Sequence, residues 1–328
     1  MNELALSLAT LRYDHVADLI TGHVRAEGIT LNHLELSYHE ILLRGVMFND
    51  FDVAEISFAK YASMRSNGDD SLIAIPVFPN RMPRHTAFYV LDGGPVRTPA
   101  DLAGRRIGLP EWAQTAAVYA RGLLAHYYGI DLRSIEWIQA GADEPGRTEK
   151  VALSLPPGLR LTPVPERSLS EMLPAGEVDA LICAQPPRIY GVDPRVRLLF
   201  ENSLEIEQRY VEETKIYPVM HTIVIRKALL ERAPWVAGNL YAAFQAAKRN
   251  SVERALYTGA SMFPIAWHAD YARKARQIIG DDIFPYGIEP NRVTLEAFLD
   301  YAYEQGVCSR RLAVEELFAP QTLVHAAV

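Results

Sequence analysis

Apolar residues recur along this chain in two rhythms. Short aliphatic or β-branched runs alternate with stretches in which apolar positions return every third or fourth residue. The runs at residues 4–11, 29–36, 53–56, 72–78, 86–91, 106–109, 135–140, 180–184 and 220–225 are expected to be strands. The clearest helix is expected over residues 115–128. There Ala116, Ala120, Leu123, Leu124 and Tyr127 share a face, and Gly129 supplies the stop. A second, over residues 294–305, aligns Leu295, Phe298, Leu299 and Ala302 ahead of Gly306. Such alternation predicts an α/β protein.

The strongest break in the pattern is Asp92-Gly93-Gly94-Pro95. A second α/β unit follows it and runs to about residues 211–218, after which the chain becomes mostly helical. Two lobes are therefore expected: residues 1–94 with 219–328, which include the C-terminal helices, and residues 95–218. The chain would cross near 92–97 and return near 190–220. A cleft between such lobes is the default ligand site, because strand ends and helix N-termini gather there.

Composition narrows the function. At 328 residues, with 49% hydrophobic and 22% charged, the chain is globular rather than disordered. Its 33 Lys+Arg against 40 Asp+Glu give a net charge of −7, so neither nucleic acid nor a membrane surface is expected as partner. The longest charge-free runs, 233–247 and 255–269, are too short for a membrane span. Cys183 and Cys308, 125 positions apart, make neither a disulfide framework nor a cysteine zinc site; one long-range bridge between them stays open, and a buried thiol is the expectation for each. The opening segment has an acid at Glu3 and no basic leader, which predicts a cytoplasmic protein.

No dinucleotide-binding, P-loop, serine-hydrolase or His-Glu-x-x-His motif is present. The chemistry must come from polar residues at strand–helix junctions. Tyr13 and His15 follow the first strand and could meet a ligand, with Asp14 as a helix cap. Glu55 and Ser57 close a strand; they could orient a phenol, or Ser57 could simply cap the next helix. Arg81, Arg84 and His85 lie in a loop, where arginine suits carboxylate recognition. Glu111 and Trp112 precede the best helix, where Thr115 could cap while the amides around Ala116 bind an anion. Arg147 sits in a turn-rich loop. His221 opens a strand on the face of Ile223 and Ile225, either as a core residue or as a functional one.

These residues also carry a resemblance. Pro110-Glu111-Trp112-x-x-Thr115-Ala116-Ala117-Val118-x-Ala120-Arg121-Gly122, Glu144-Pro145-Gly146-Arg147-x-Glu149-Lys150, Pro218-x-Met220-His221-Thr222 and Pro285-Tyr286-Gly287 resemble the 4,5-dihydroxyphthalate decarboxylase family. So do Ile75-Pro76-Val77-Phe78-Pro79-x-Arg81-x-x-Arg84-His85 and Tyr303-Glu304-Gln305-Gly306. The similarity runs from Tyr13-Asp14 to Glu316-Leu317-Phe318-Ala319. One departure is His15, where the family's motif more often carries Arg.

The resemblance implies a two-lobed type II periplasmic-binding-protein-like fold with two hinge crossovers and a helical C-terminal region. It also implies a carbon–carbon lyase of aromatic catabolism, converting 4,5-dihydroxyphthalate to 3,4-dihydroxybenzoate and CO2. The alternative is a solute-binding protein for an aromatic carboxylate, without turnover. For the enzyme, His221 or His85 is the expected proton donor, and Glu55 or Glu111 the acceptor at the catechol. Arg81 and Arg147 would anchor the spectator carboxylate, with Tyr13, His15, Ser57, Trp112, Thr115 and Ala116 binding substrate. The chemistry requires no organic cofactor. A divalent metal stays open, although no spacing points to a metal ligand, and so does a homo-oligomer.

Overall fold

The computed structural model describes residues 3–323, the side chains of Val46 and Met47 excepted. Met1 and Asn2, at the head of the segment read above for a leader, lie outside the described residues, as do residues 324–328 of the expected C-terminal lobe. The strands, in chain order, are β1 (Leu4–Ala9), β2 (Ile29–His33), β3 (Val53–Ser57), β4 (Leu72–Ile75), β5 (Phe88–Leu91), β6 (Arg106–Leu109), β7 (Glu136–Gly141), β8 (Arg160–Ser168), β9 (Ala180–Ile182), β10 (Val196–Leu198) and β11 (His221–Arg226).

The chain divides into two compact units. One comprises Met1–Arg81, Val211–Glu296 and Leu312–Val328; the other Met82–Tyr210 and Ala297–Arg311. The first passage thus falls at Arg81–Met82, ahead of the Asp92–Pro95 turn, and β5 belongs to the second unit.

The first unit holds a five-stranded sheet in the order β2-β1-β3-β11-β4. β1 pairs in parallel with β2 and β3, whereas β11 runs antiparallel between β3 and β4. Every residue of β3 is buried, as a central strand covered on both faces requires. Leu8, Val53, Ile56, Ile75, Ile223 and Ile225 form its core. The helix Trp235–Leu256 packs on the helix Asp14–Ile20 and buries Val236, Leu240, Phe244 and Ala247. Asp14 does not cap its own helix. Its carboxylate accepts from Ser251 and Arg254 on the long helix instead.

The second unit holds a six-stranded sheet, β10-β5-β9-β6-β7-β8, parallel from β9 through β8. Every residue of the helix Thr115–Gly122 is buried. The helix widens into a π turn over Leu123–Tyr127 before Gly129, whose φ of +67° ends it. Two strands escape the hydrophobic pattern, β8 and β10. Both lie at sheet edges, where the prolines of β8 (Pro163 and Pro165) are tolerated and few side chains need be apolar.

Candidate functional site

The first unit assembles its polar residues around Glu55. This carboxylate is fully buried in β3, and burial alone would keep it protonated. Hydrogen bonds outweigh that penalty. Oε2 accepts from Thr10 Oγ1 at 2.8 Å and from the Leu11 amide at 3.1 Å; Oε1 accepts from Tyr13 Oη at 2.7 Å and from His221 Nδ1 at 2.6 Å. The net result is a carboxyl held below the usual carboxylate range. These four donors match the acceptor capacity of a carboxylate, so Glu55 is a support for its neighbours rather than an acceptor for a ligand proton. Burial, and next the Glu55 charge, push the Tyr13 phenol well above its ordinary pKa, so it stays a donor.

His221 reaches Glu55 because β3 and β11 are antiparallel neighbours. Ile223 lies opposite Glu55 and His221 opposite Ser57, which places Glu55 and His221 diagonally on one face. With Nδ1–H given to Glu55, Nε2 is the nitrogen left to exchange a proton, on a side chain that keeps 12% exposure. Such an orienting carboxylate behind an imidazole is a general arrangement for acid–base chemistry. Ser57 is buried and makes no side-chain bond as a helix cap.

His15 is held differently. Its Nε2–H donates to the Pro79 carbonyl at 3.0 Å, and its ring stacks 5.1 Å from Tyr13 and lies 4.6 Å from Phe284. Burial pushes its pKa down to about 4, so it presents a neutral imidazole at pH 7. The buried guanidinium of Arg81 donates to the carbonyls of Tyr217 at 2.9 Å and Pro285 at 2.8 Å and to Asn291 Oδ1. It clamps the segments before His221 and around Tyr286, which places Arg81 in the frame of the first unit.

The second unit gathers the other motif. Glu111 is fully buried and accepts from Arg147 Nε at 2.8 Å, with Lys150 Nζ at 3.5 Å. The Trp112 and Ala113 amides, just ahead of the helix whose N-terminus is the expected anion site, are taken by the protein's own Glu149, at 2.6 and 3.2 Å. Thr115 is not the cap. Gln114 holds that position, without a side-chain bond, while Thr115 and Ala116 are buried inside the first turn. The Trp112 indole is also inside the fold, its Nε1–H on the Gln305 carbonyl at 2.8 Å and its ring 3.6 Å from the Arg121 guanidinium. Arg121, fully buried, donates to Gln305 Oε1 and to the Trp112 carbonyl. Much of this motif is therefore a packing lock.

His85 stands apart from both groups. It is fully buried against Phe200 and Tyr210, with no hydrogen-bond partner on either ring nitrogen among the described residues, and burial pushes its pKa down to about 4. That is the environment of a neutral core imidazole, so the geometry favours His221 over His85 as the proton carrier.

The first unit thus brings together Tyr13, His15, Glu55, Ser57 and His221, and the second Glu111, Trp112, Thr115, Ala116 and Arg147. Sequence reasoning missed Thr10, Glu149 and Tyr38, whose ring stacks on His221. A signal for Tyr38 was available: Ser37-x-x-Glu40 is a capping box that marks a helix start just after a strand. Among the described residues, no group of three or more His, Cys, Asp and Glu side chains could hold a metal ion.

The chain is similar to solved structures of periplasmic sulfonate-binding proteins. SsuA from Escherichia coli, an aliphatic sulphonate binding protein, aligns over 98% of this chain and 99% of its own with a TM-score of 0.54 and 12% identity. SsuA from Methylobacillus flagellatus KT aligns over 98% and 93% with a TM-score of 0.58 and 10% identity. At that identity the likeness establishes the fold: two-lobed, α/β and periplasmic-binding-protein-like. No family model matches the chain. A 4,5-dihydroxyphthalate decarboxylase from Pseudomonas putida is 35% identical over 204 residues, 62% of this chain and 79% of the relative. Another, from Comamonas testosteroni, is 36% identical over 325 residues, 98% of both chains. Identity at that level along the whole of both sequences makes this chain a member of the 4,5-dihydroxyphthalate decarboxylase family.

Proposed function

We propose that this protein decarboxylates 4,5-dihydroxyphthalate to 3,4-dihydroxybenzoate, with His221 delivering the proton to the ring. The observation that carries the residue assignment is the Glu55–His221 pair, in which a buried carboxylate holds Nδ1–H at 2.6 Å. Family membership supports the substrate and the reaction class, a carbon–carbon lyase.

The chemistry sets what the site must supply. Direct loss of CO2 would leave an aryl carbanion that the ring's π system cannot stabilise. The hydroxyl para to the departing carboxylate offers another route. As its proton passes to solvent water, its oxygen pushes an electron pair toward the carbon bearing the carboxylate. That carbon takes a proton from His221 Nε2 and becomes tetrahedral. Its bond to the carboxylate then breaks, CO2 departs, the bonding pair returns to the ring, and the phenol regains its proton. The ring gains one proton for the CO2 it loses, and no electron acceptor is involved.

Glu55 fixes the tautomer that leaves Nε2 for the moving proton and stabilises the imidazolium before transfer. Cationic anchoring should favour the spectator carboxylate, because a firm grip on the reacting one would stabilise the ground state. Arg147 suits that role better than Arg81: its side chain is 37% exposed, whereas Arg81 is committed to carbonyls.

A cytoplasmic location belongs to the same reading, supported by two buried cysteines that remain thiols, and cell fractionation checks it. The decisive experiment incubates purified, metal-defined protein with 4,5-dihydroxyphthalate and follows 3,4-dihydroxybenzoate and CO2 together. Catalytic formation of both, lost in His221→Asn, is the expected result. Binding of the substrate without CO2 release would overturn the reading in favour of a binding protein for aromatic carboxylates.

A further inference from the structure

A single hydrogen bond fixes where an imidazole nitrogen sits but leaves the ring free to rock about that bond. For His221 the bond to Glu55 therefore sets one axis only. The plane is set by another residue. The Tyr38 ring lies almost parallel to the imidazole, 13° between planes and 4.4 Å between centroids, within the range of favourable aromatic stacking. We propose that Tyr38 is a positioning residue for the decarboxylation, holding the plane of His221 so that Nε2 keeps one direction toward the ring carbon.

The delivery of Tyr38 supports this role. It is the first residue of the helix Tyr38–Met47, immediately after Ser37. Ser37 Oγ accepts from the Glu40 amide at 3.3 Å, and Glu40 Oε2 accepts from the Ser37 amide at 3.1 Å and its hydroxyl at 2.8 Å. That reciprocal cap fixes the backbone from which the Tyr38 side chain departs. Glu55 and Tyr38 thus constrain the imidazole from two directions, one through an atom and one through a face. A proton transfer depends on the direction of the donor nitrogen, so a loss of either constraint should appear in kcat.

The inference rests on the decarboxylase reading, and the test separates the two. Tyr38→Phe keeps the ring, and Tyr38→Ala removes it; Tyr38→Leu serves if the alanine variant folds poorly. Tyr38→Ala is expected to lower kcat roughly 3- to 10-fold with KM within about twofold, and Tyr38→Phe to restore the wild-type rate. Unchanged kcat in Tyr38→Ala, or a Tyr38→Phe enzyme as slow as Tyr38→Ala, would overturn the proposal. In parallel, NMR of histidine-labelled, substrate-free protein reads the stack without activity. The His221 ring protons, assigned by their loss in His221→Asn, should shift downfield in Tyr38→Ala and stay in place in Tyr38→Phe. If the wild type shows no turnover, the functional reading fails and the NMR alone decides the stack; an unmoved resonance in Tyr38→Ala then sinks it.

Discussion

Glu55 Oε1 accepts the Nδ1–H of His221 at 2.6 Å, although the two residues are 166 positions apart in the chain. The contact exists because β11 returns from late in the sequence to pair antiparallel with β3, which sets His221 two residues along β11 from Ile223, the residue directly opposite Glu55. Chemistry and sheet topology are the same fact here.

That relationship predicts a graded response. If His221 carries the proton as proposed, kcat in His221→Asn should fall by about 10²- to 10⁴-fold while calorimetry still detects substrate binding. Glu55→Gln keeps an acceptor near Nδ1 but loses the charge that supports the imidazolium, so a smaller loss, about 10- to 100-fold, is expected. Equal activity in wild type and His221→Asn would remove His221 from the mechanism.

Acid should destabilise the fold through two buried imidazoles, His15 and His85. Folded His15 and His85 have pKa values pushed down to about 4 by burial, against 6.5 in the unfolded chain. Between those values the unfolded state binds more protons. The stabilising contribution is therefore complete above about pH 6.5 and is lost as pH falls toward 4. Each group should cost roughly 2 kcal/mol at pH 5 relative to pH 7. His85→Phe, which suits a cage of Phe200 and Tyr210, should shrink the difference in urea-unfolding free energy between those pH values by that amount. A variant with the wild-type pH dependence would show that His85 is not buried neutral.

The buried Glu111 predicts a separation of stability from binding. Arg147→Ala leaves that carboxylate with Lys150 and should destabilise the protein by roughly 1–3 kcal/mol, less than for a fully buried pair because Arg147 is partly exposed. Adding Glu111→Gln should recover most of the loss. If Arg147 anchors the spectator carboxylate, KM rises in the single variant and stays high in the double one. A KM that recovers along with stability would assign Arg147 to structure alone.

Two glycines at helix ends should differ in tolerance. Both Gly129 and Gly306 have positive φ, at +67° and +71°. A Cβ on Gly129 would meet open space, whereas on Gly306 it would run into the backbone carbonyl of Ser154. Gly129→Ala should cost about 1–2 kcal/mol from conformation. Gly306→Ala should cost clearly more in thermal denaturation, because the backbone of residue 154 has no rotamer to yield. Equal melting temperatures would place the Ser154 segment elsewhere.

The family motifs explain why the fold was legible and the site only partly so. Trp112, Arg121 and Gln305 are distinctive in sequence, yet they lock to one another inside the second unit. Arg81 likewise reads as a carboxylate anchor, because guanidinium groups so often are, but its terminal nitrogens donate to the Tyr217 and Pro285 carbonyls and to Asn291. A residue type announces what it can bond, and only neighbours decide what it does bond. The same holds for the amides of Trp112 and Ala113, which bond the carboxylate of Glu149.

By itself the sequence determined the α/β class, the helix stops at Gly129 and Gly306, and the pool of polar residues at strand ends, because these depend on local periodicity and backbone chirality. Edge strands such as β8 were lost to it, since an edge demands neither alternation nor the absence of proline. Tertiary structure decided which polar residues became partners. Pairing of β11 with β3 joined His221 to Glu55, and burial in an aromatic cage left His85 neutral. Those outcomes depend on through-space distance and desolvation, which no spacing along the chain encodes.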